Sequence, residues 1–407
     1  MAFEMPRAKK PEDVGLSLQR LKRLRDVLQA DIDKGVVPGA VALVARRGQV
    51  ASLETLGCRD REAGAAMAPD TIFRIASMTK PFVSVAAMML AEEGRLLIAD
   101  PVSRYIPDFA SLKVAANSDD ASATTLTIEP LRREMTAHDL LRHTSGLSYG
   151  HLAGPLLKGA YEAANVLDEK QTNAEMIAKL SKLPLAYQPG STWQYGVSTD
   201  VLGRVVEVAS GMELGQFIVE RICKPLGLAN TGFGPIDDAR TAQPQIDPAS
   251  GKRPAMRGTN VRPNWISGGS GLLSTAGDYV RFAQMLLNGG ELGGTRLLSP
   301  TSLALMTSDH LTPEIRRSPS TPVLFGALAP MTETGIGFGL GIAVRTHAGR
   351  TPLPGSVGDF SWSGVTGTYF WIDPQQELIA ILMMQAPAQR LHYRYLMRAL
   401  VYQASVD

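Results

Sequence analysis

The sequence predicts an α/β domain assembled from both ends of the chain, with a mainly helical segment inserted between them. Three observations predict it. Short, strongly apolar runs that read as strands lie near the N-terminus and again near the C-terminus. Between them the apolar residues recur at helical spacing and are separated by loops rich in Pro, Gly and Ser. Helical patterns flank the strands at both ends. This division puts residues 1–100 and 265–407 in the α/β domain and residues 101–264 in the insertion, with a cleft between them as the place for a site.

At the N-terminal end, Leu18, Leu21, Leu24, Val27, Leu28 and Ile32 are spaced for a helix, and Ser17 is placed to cap it. Residues 40–45 (AVALVA) form a short apolar run closed by Arg46-Arg47-Gly48, a buried strand and its turn. Residues 78–93 are largely apolar with no breaker after Pro81, and Pro is tolerated in a first helical turn because that N–H is free anyway. In the middle, residues 135–142, 173–183, 199–209 and 214–223 have helical period, whereas 111–129 and 235–263 are irregular. Residues 275–287 read as a helix with Thr275 as its cap. Residues 369–372 and 378–383 read as two strands joined by a turn that opens at Asp373-Pro374, and residues 391–402 as a last helix. The Pro- and Ser-rich stretch 308–333 is expected as a surface loop beside something functional.

Composition excludes several functions. The chain has 407 residues, 44% of them hydrophobic, and a formal net charge of +2 from 41 basic and 39 acidic residues. That balance carries no footprint for nucleic acid, and the cluster Arg20, Lys22, Arg23 and Arg25 reads as a solvated helix face. The N-terminal residues MAFEMPRAKKPEDVG lack an apolar h-region, and no run of about 18 apolar residues occurs anywhere. The expectation is a cytoplasmic protein that does not enter a membrane, a monomer or small homo-oligomer. Cys58 and Cys223 make no C-x-x-C pair and read as idle thiols, with a disulfide between them left open.

No P-loop, G-x-G-x-x-G or H-E-x-x-H motif is present. His138 and His143 have H-x4-H spacing without an accompanying cysteine pair, so no metal is expected, and nothing calls for an organic cofactor. Gly146-Leu147-Ser148-Tyr149-Gly150 matches the G-x-S-x-G nucleophile elbow, but that elbow needs a strand before it and a helix after it. Here a helix precedes and a loop follows, so Ser148 reads as a loop serine. Ser77-Met78-Thr79-Lys80 is an S-x-x-K at the start of an apolar helix, about one turn apart and therefore on one face. Serine needs a neighbouring base to become a nucleophile, lysine becomes a base only where its neutral form is favoured, and free N–H groups at a helix start can hold an oxyanion.

Each motif alone is short enough to arise by chance, and the weight rests on their company. Along the chain come Ser77-x-x-Lys80, residues 140–147 (LLRHTSGL), residues 189–195 (PGSTWQY) running into Tyr195-Gly196-Val197, residues 271–278 (GLLSTAGD), and Trp362-Ser363-Gly364. This pattern resembles the serine β-lactamase and penicillin-binding superfamily, on its class C side, and within it the family VIII carboxylesterases. The resemblance runs from about Leu16 to about Ala399. It implies an antiparallel sheet flanked by helices with a helical domain inserted. It implies Ser77 as nucleophile, Lys80 taking or relaying its proton, and Tyr195, at the tyrosine of Y-x-N, sharing the base role and protonating the leaving alcohol. The backbone N–H groups of Ser77 and Val365 would form the oxyanion hole. A Lys80 that works as a neutral base would make activity fall at acidic pH.

Two departures bear on substrate. Val197 replaces the asparagine of Y-x-N, and Trp362 replaces the lysine of a K-T-G-type motif, the cation that helps hold a substrate carboxylate in β-lactamases and peptidases. Trp362, Ser363 and Gly364 are therefore read as binding a neutral, partly apolar ester. Trp193, Tyr149 and Phe360 are candidates for the pocket wall and equally for the core. Asp200 is either a partner of the site or a charge in the first turn of the next helix. The implied activity is hydrolysis of short-chain acyl esters, with weak cephalosporin hydrolysis alongside. The alternatives are a β-lactamase or D-alanyl-D-alanine peptidase, an acyltransferase to a specific alcohol, and a non-catalytic relative.

Overall fold

A computed structural model describes residues 5–120, 122–247, 250–254 and 256–407. The sequence readings that touch residues 1–4, 121, 248, 249 and 255 lie outside the described residues. Eight strands form one antiparallel sheet: β1 (Gly39–Arg46), β2 (Gln49–Asp60), β3 (Ala65–Ala66), β4 (Ile336–Phe338), β5 (Ala343–Arg345), β6 (Phe360–Ser363), β7 (Tyr369–Asp373) and β8 (Leu378–Met383). Their order is β4-β5-β6-β7-β8-β1-β2-β3, so the two ends of the chain meet at the β1–β8 pair, where Leu43 faces Ile381 and Val41 faces Met383. Arg47 and Gly48, both with positive φ, make the tight turn from β1 to β2. Asp373 Oδ1 accepts from the N–H groups of Gln375 and Gln376 and closes the β7–β8 turn.

Helices α1 (Leu18–Asp33), α2 (Lys80–Glu92), α3 (Ser198–Ser210), α4 (Ala276–Leu287) and α5 (Arg390–Tyr402) pack on this sheet or carry residues of the site. Ser17 and Thr275 accept from the backbone N–H groups of Arg20 and Asp278 and so cap α1 and α4. The strand period of two splits β1 between two cores. Ala40, Ala42 and Val44 pack with Tyr369, Trp371, Leu24, Leu28, Met397 and Val401, under α1 and α5. Val41, Leu43 and Ala45 pack with Phe370, Ile381, Phe82 and Phe282, under α2 and α4. A central strand buried on both faces reads as an unbroken apolar run, which is why AVALVA stands out in the sequence.

Between residues 101 and 264 the chain is mostly short helices and loops, and the second of these cores continues from the sheet through α2 into them. The helix expected over 135–142 is shorter, Ala137–Leu141, with Thr136 and Asp139 in a reciprocal cap. The helix expected over 214–223 is α-helical only for Leu214–Ile218 and widens to π geometry over Val219–Cys223. Pro225 follows, and its ring clashes with the carbonyl four residues back in a regular α-turn. The stretch 308–333 is less loop-like than expected. Arg316–Arg317 pairs in parallel with Thr192–Trp193, and a helix covers Ser320–Phe325. Cys58 and Cys223 are both free thiols. Among the described residues no helix is long and apolar enough to cross a membrane.

Candidate active site

The S-x-x-K segment enters α2 through a sharp bend. Phe73–Arg74 pairs with Leu273–Ser274, and Ala76 then takes a left-handed φ of 45° before a single 3-10 turn over Ala76–Thr79. A non-glycine residue there stores strain on the order of 1 kcal/mol. The bend is held from both sides: Thr79 Oγ1 accepts from Leu272 N–H at 3.0 Å, and Tyr279 OH donates to Met78 O at 3.1 Å. Ser77 thus sits at the entrance to α2, with Lys80 one turn on.

The structure brings Ser77, Lys80 and Tyr195 together. Tyr195 OH donates to Ser77 Oγ at 2.7 Å, and Lys80 Nζ donates to the same oxygen at 3.3 Å. Lys80 Nζ also donates to Tyr149 OH at 3.2 Å and to Gly269 O at 2.8 Å. Three acceptors for three N–H bonds is the pattern of an ammonium. Burial alone would depress the Lys80 pKa, but Tyr149, Tyr195 and Asp200 outweigh it and hold it above its ordinary value of 10.5. The resting arrangement thus favours the ammonium of Lys80, whereas a lysine that itself takes the Ser77 proton has to be neutral. The Asp200 carboxylate, itself raised by burial, accepts from Ser267 Oγ at 2.6 Å and from Gly269 N–H at 3.0 Å, and so fixes the carbonyl that Lys80 uses.

Tyr195 is carried between the Thr192–Trp193 bridge and α3. Gly196 allows the close approach this needs, because a Cβ there would lie 2.7 Å from Leu147 O. The G-x-S-x-G segment therefore lies against the tyrosine segment. Ser148 is fully buried; its hydroxyl donates to Tyr149 O and accepts from Gln194 Nε2. Its neighbour Tyr149 is the residue of that motif which reaches the site. Val197 is fully buried in the core.

Gly364 closes the site from the sheet. It follows β6, and a Cβ on it would stand 2.6 Å from Ile75 O and 3.3 Å from Ala76 Cβ. Thr366 and Thr368 donate to Arg74 O and Ile75 O, tying the β6–β7 turn to the segment that carries Ser77. A cavity of about 340 Å³ opens on Ser77, and Tyr149, Tyr195, Ser363 and Val365 line it. Trp362, Trp193 and Phe360 are not among its lining residues. Phe360 and Trp362 project to the opposite side of β6 from Ser363, and all three aromatics are buried in the core. Trp362 packs behind Tyr195, ring centroids 5.6 Å apart, and Trp193 stacks on it at 6.1 Å. Their role is to back the tyrosine.

Sequence reasoning missed much of the wall: Leu152, Leu167, Trp265, Leu324, Phe325 and the arginines of α5. Leu324 and Phe325 do fall inside the 308–333 stretch flagged as lying near something functional. His143 is fully buried, packs on Tyr195 at 5.1 Å, and is held neutral by burial and by Lys80. His138 instead pairs with His310 at 2.9 Å.

One antiparallel sheet with helices packed on it, a serine bent into the start of a buried helix, and a lysine and a tyrosine meeting that serine define a class, the serine hydrolases of the β-lactamase fold. The family model described as Beta-lactamase matches residues 24–402, and the chain belongs to that family. Protein Rv1367c of Mycobacterium tuberculosis strain H37Rv is 38% identical over 362 residues, 87% of each chain. Esterase EstB of Burkholderia gladioli is 31% identical over 384 residues, 89% of each chain. Among solved structures, EstCE1, described as a hydrolase with promiscuous acyltransferase activity, matches with a TM-score of 0.79 and 29% identity, covering 94% of this chain and 99% of its own. The resemblance read from the motifs, to the family VIII esterases of this superfamily, is borne out.

Proposed function

We propose that the chain is a serine carboxylesterase that hydrolyses short-chain acyl esters through an acyl-enzyme on Ser77. The observation that carries this is the convergence of Tyr195 OH and Lys80 Nζ on Ser77 Oγ beside a largely apolar cavity. The similarity to Esterase EstB supports the substrate class.

The chemistry needs the Lys80–Tyr195 pair to have given up one proton. Lys80 is held above its ordinary value by its surroundings, so it stays beside Tyr195 as the cation while the tyrosine oxygen handles the proton in transit. As Ser77 Oγ bonds to the acyl carbon, its proton passes to the Tyr195 oxygen. The tetrahedral oxyanion is met by the N–H groups of Ser77 and Val365. Collapse breaks the ester C–O bond, and the leaving alcohol takes the proton from Tyr195. Water then attacks the acyl-enzyme and gives its proton to Tyr195. That proton returns to Ser77 Oγ as the carboxylic acid leaves.

A second reading is interception of the same intermediate by an alcohol. It is favoured by the similarity to EstCE1, whose description includes acyltransferase activity. One experiment addresses both. Purified protein and its Ser77→Ala variant are given short-chain aryl esters with and without added alcohol, a chromogenic cephalosporin and a penicillin, and the site of phosphonate labelling is mapped by mass spectrometry. The proposal expects ester turnover that is lost in the variant, an adduct on Ser77, and little β-lactam turnover. An adduct on Ser148, or full activity in Ser77→Ala, would sink it. Efficient penicillin turnover would make the chain a β-lactamase.

A further inference from the structure

The cavity beside Ser77 carries two cations that the proposed chemistry does not use. Arg390 and Arg394 lie one turn apart at the start of α5, and both line it. Arg394 is 3% exposed. Its Nη2 donates to Gly364 O at 2.9 Å, and its Nε has no partner among the described residues. Arg390 Nη1 donates to Pro387 O at 3.0 Å. Neither forms an ion pair among the described residues, whereas Arg345 of β5 and Arg398 of α5, which are as deeply buried as Arg394, both bond to Asp359. The acids on the same wall are engaged elsewhere: Asp200 by Ser267 and Gly269, Glu169 near Arg257.

Three physical effects oppose this placement. A buried cation without a counter-charge is disfavoured; burial, then Arg390, pulls the Arg394 pKa down to about 10, which still leaves it charged at neutral pH. The first turns of a helix carry partial positive charge and repel cations. Like charges four residues apart on a helix repel each other. All three are relieved by one negative group in the cavity.

We propose that Arg390 and Arg394 form an anion subsite, and that the ester cleaved at Ser77 carries a carboxylate a few bonds from its ester group. The subsite adjoins the scissile position, because Arg394 holds the carbonyl of Gly364, the residue before Val365. The remaining wall, with Leu152, Leu167, Trp265 and Phe325, takes the apolar part. The carboxylate belongs either to the acyl half, as in a mono-ester of a short dicarboxylic acid, or to the alcohol half, as in an ester of a hydroxy acid. This inference rests on the serine-esterase reading.

The test compares matched esters. For the acyl half these are aryl hemiglutarate and aryl valerate, and for the alcohol half the butyryl esters of hydroxybenzoate and of a neutral phenol. The readout is the anionic-to-neutral ratio of kcat/KM in the parent protein, Arg390→Gln and Arg394→Gln, so that general damage to a variant divides out. In one arm the parent is expected to favour the anionic ester by about tenfold or more, the size of a charge-assisted hydrogen bond. That preference should shrink with added salt and fall about tenfold in each variant. Calorimetric binding of glutaric acid mono-anilide to Ser77→Ala, with and without Arg394→Gln, reads the subsite without turnover. Ratios near one in both arms, unmoved by the variants, together with anilide binding that ignores Arg394, would overturn the subsite. Arginine-dependent anilide binding with no ester cleaved would overturn only the esterase reading.

Discussion

Replacing Tyr195 by phenylalanine deletes one oxygen and little else. The ring keeps its neighbours Trp193, Phe325 and Trp362, at centroid distances of 6.1, 5.3 and 5.6 Å. The hydroxyl lost is the one that bonds Ser77 Oγ at 2.7 Å, and Ser77 keeps Lys80 as a partner. The folding term is then one hydrogen bond, about 1 kcal/mol. The catalytic term is far larger. A positioned acid–base group contributes about 10²- to 10⁴-fold, or about 2.7 to 5.4 kcal/mol of barrier. Tyr195→Phe is expected to lower kcat/KM on a short-chain aryl ester by that factor while urea unfolding shifts by about 1 kcal/mol or less. Pre-steady-state bursts divide the loss between acylation and release of the acyl group, and both should slow because the tyrosine serves each step. The reasoning fails if kcat/KM drops less than tenfold. It also fails if the activity lost is matched by stability lost, which would make Tyr195 a packing residue.

Gly364→Ala would push a Cβ to 2.6 Å from Ile75 O. It should destabilise by about 1–3 kcal/mol and lower kcat/KM by moving Val365 away from Ser77; a variant as stable and active as the parent would refute the close approach. Because its surroundings raise Lys80 above 10.5, its charge should persist through the neutral range. Since the mechanism needs the Lys80–Tyr195 pair to have lost one proton, the kcat/KM of the parent should rise with pH between about pH 8 and pH 10, and a flat profile there would show that this pair is not the base. Asp139 is fully buried, and although burial alone would raise its pKa, Arg133, Thr136 N–H and Thr144 bring it down to about 2. A carboxylate depressed from its unfolded value of 3.8 stabilises the fold above that value and loses the effect as pH falls through the folded one. Asp139→Asn should thus give up about 2 kcal/mol near neutral pH, and the gap should close as pH approaches about 2. A pH-independent gap in urea unfolding would show that the charge is immaterial.

The parts of this site legible in the sequence are those whose chemistry is set by local spacing. Ser77 and Lys80 share a helical turn, AVALVA announces a strand covered on both faces, and Thr275 sits where a cap belongs. Trp362 is misread although a local rule places it, and the same rule decides Phe360, which the sequence leaves between wall and core. Residues 360–363 read F-S-W-S, and a strand sends alternate side chains to opposite faces. If Ser363 faces the cavity, then Trp362 and Phe360 cannot share its face, so period-two reasoning alone could have moved both aromatics into the core. Arg394 has no such signal, and Tyr149 has only its aromatic character, which leaves it between pocket wall and core. Each reaches the site only through contacts distant in sequence, Tyr149 by the docking of residues 146–150 against Tyr195-Gly196 and Arg394 by the packing of α5 on the sheet. Tyr149 was further obscured by its neighbour Ser148, which completes a familiar nucleophile motif yet spends its hydroxyl on Tyr149 O.

The tryptophan at position 362 alters the electrostatics of the site as well as its shape. The motif it departs from carries a lysine there, and a second ammonium near Tyr195 would repel the charge on Lys80 and favour its neutral form. Trp362 instead extends an aromatic nest with Trp193, Phe325 and Phe338 behind the tyrosine. The one imidazole in that nest, His143, is kept uncharged. Lys80 is thus left as the single cation on Ser77, with the Asp200 carboxylate near it and a low-dielectric wall behind, where charge attraction is stronger than in water. Those are the conditions under which an ammonium persists beside the nucleophile. The positive charge that would otherwise meet a substrate anion from the strand is supplied by the arginines of α5, of which Arg394 holds the Gly364 carbonyl just beyond β6.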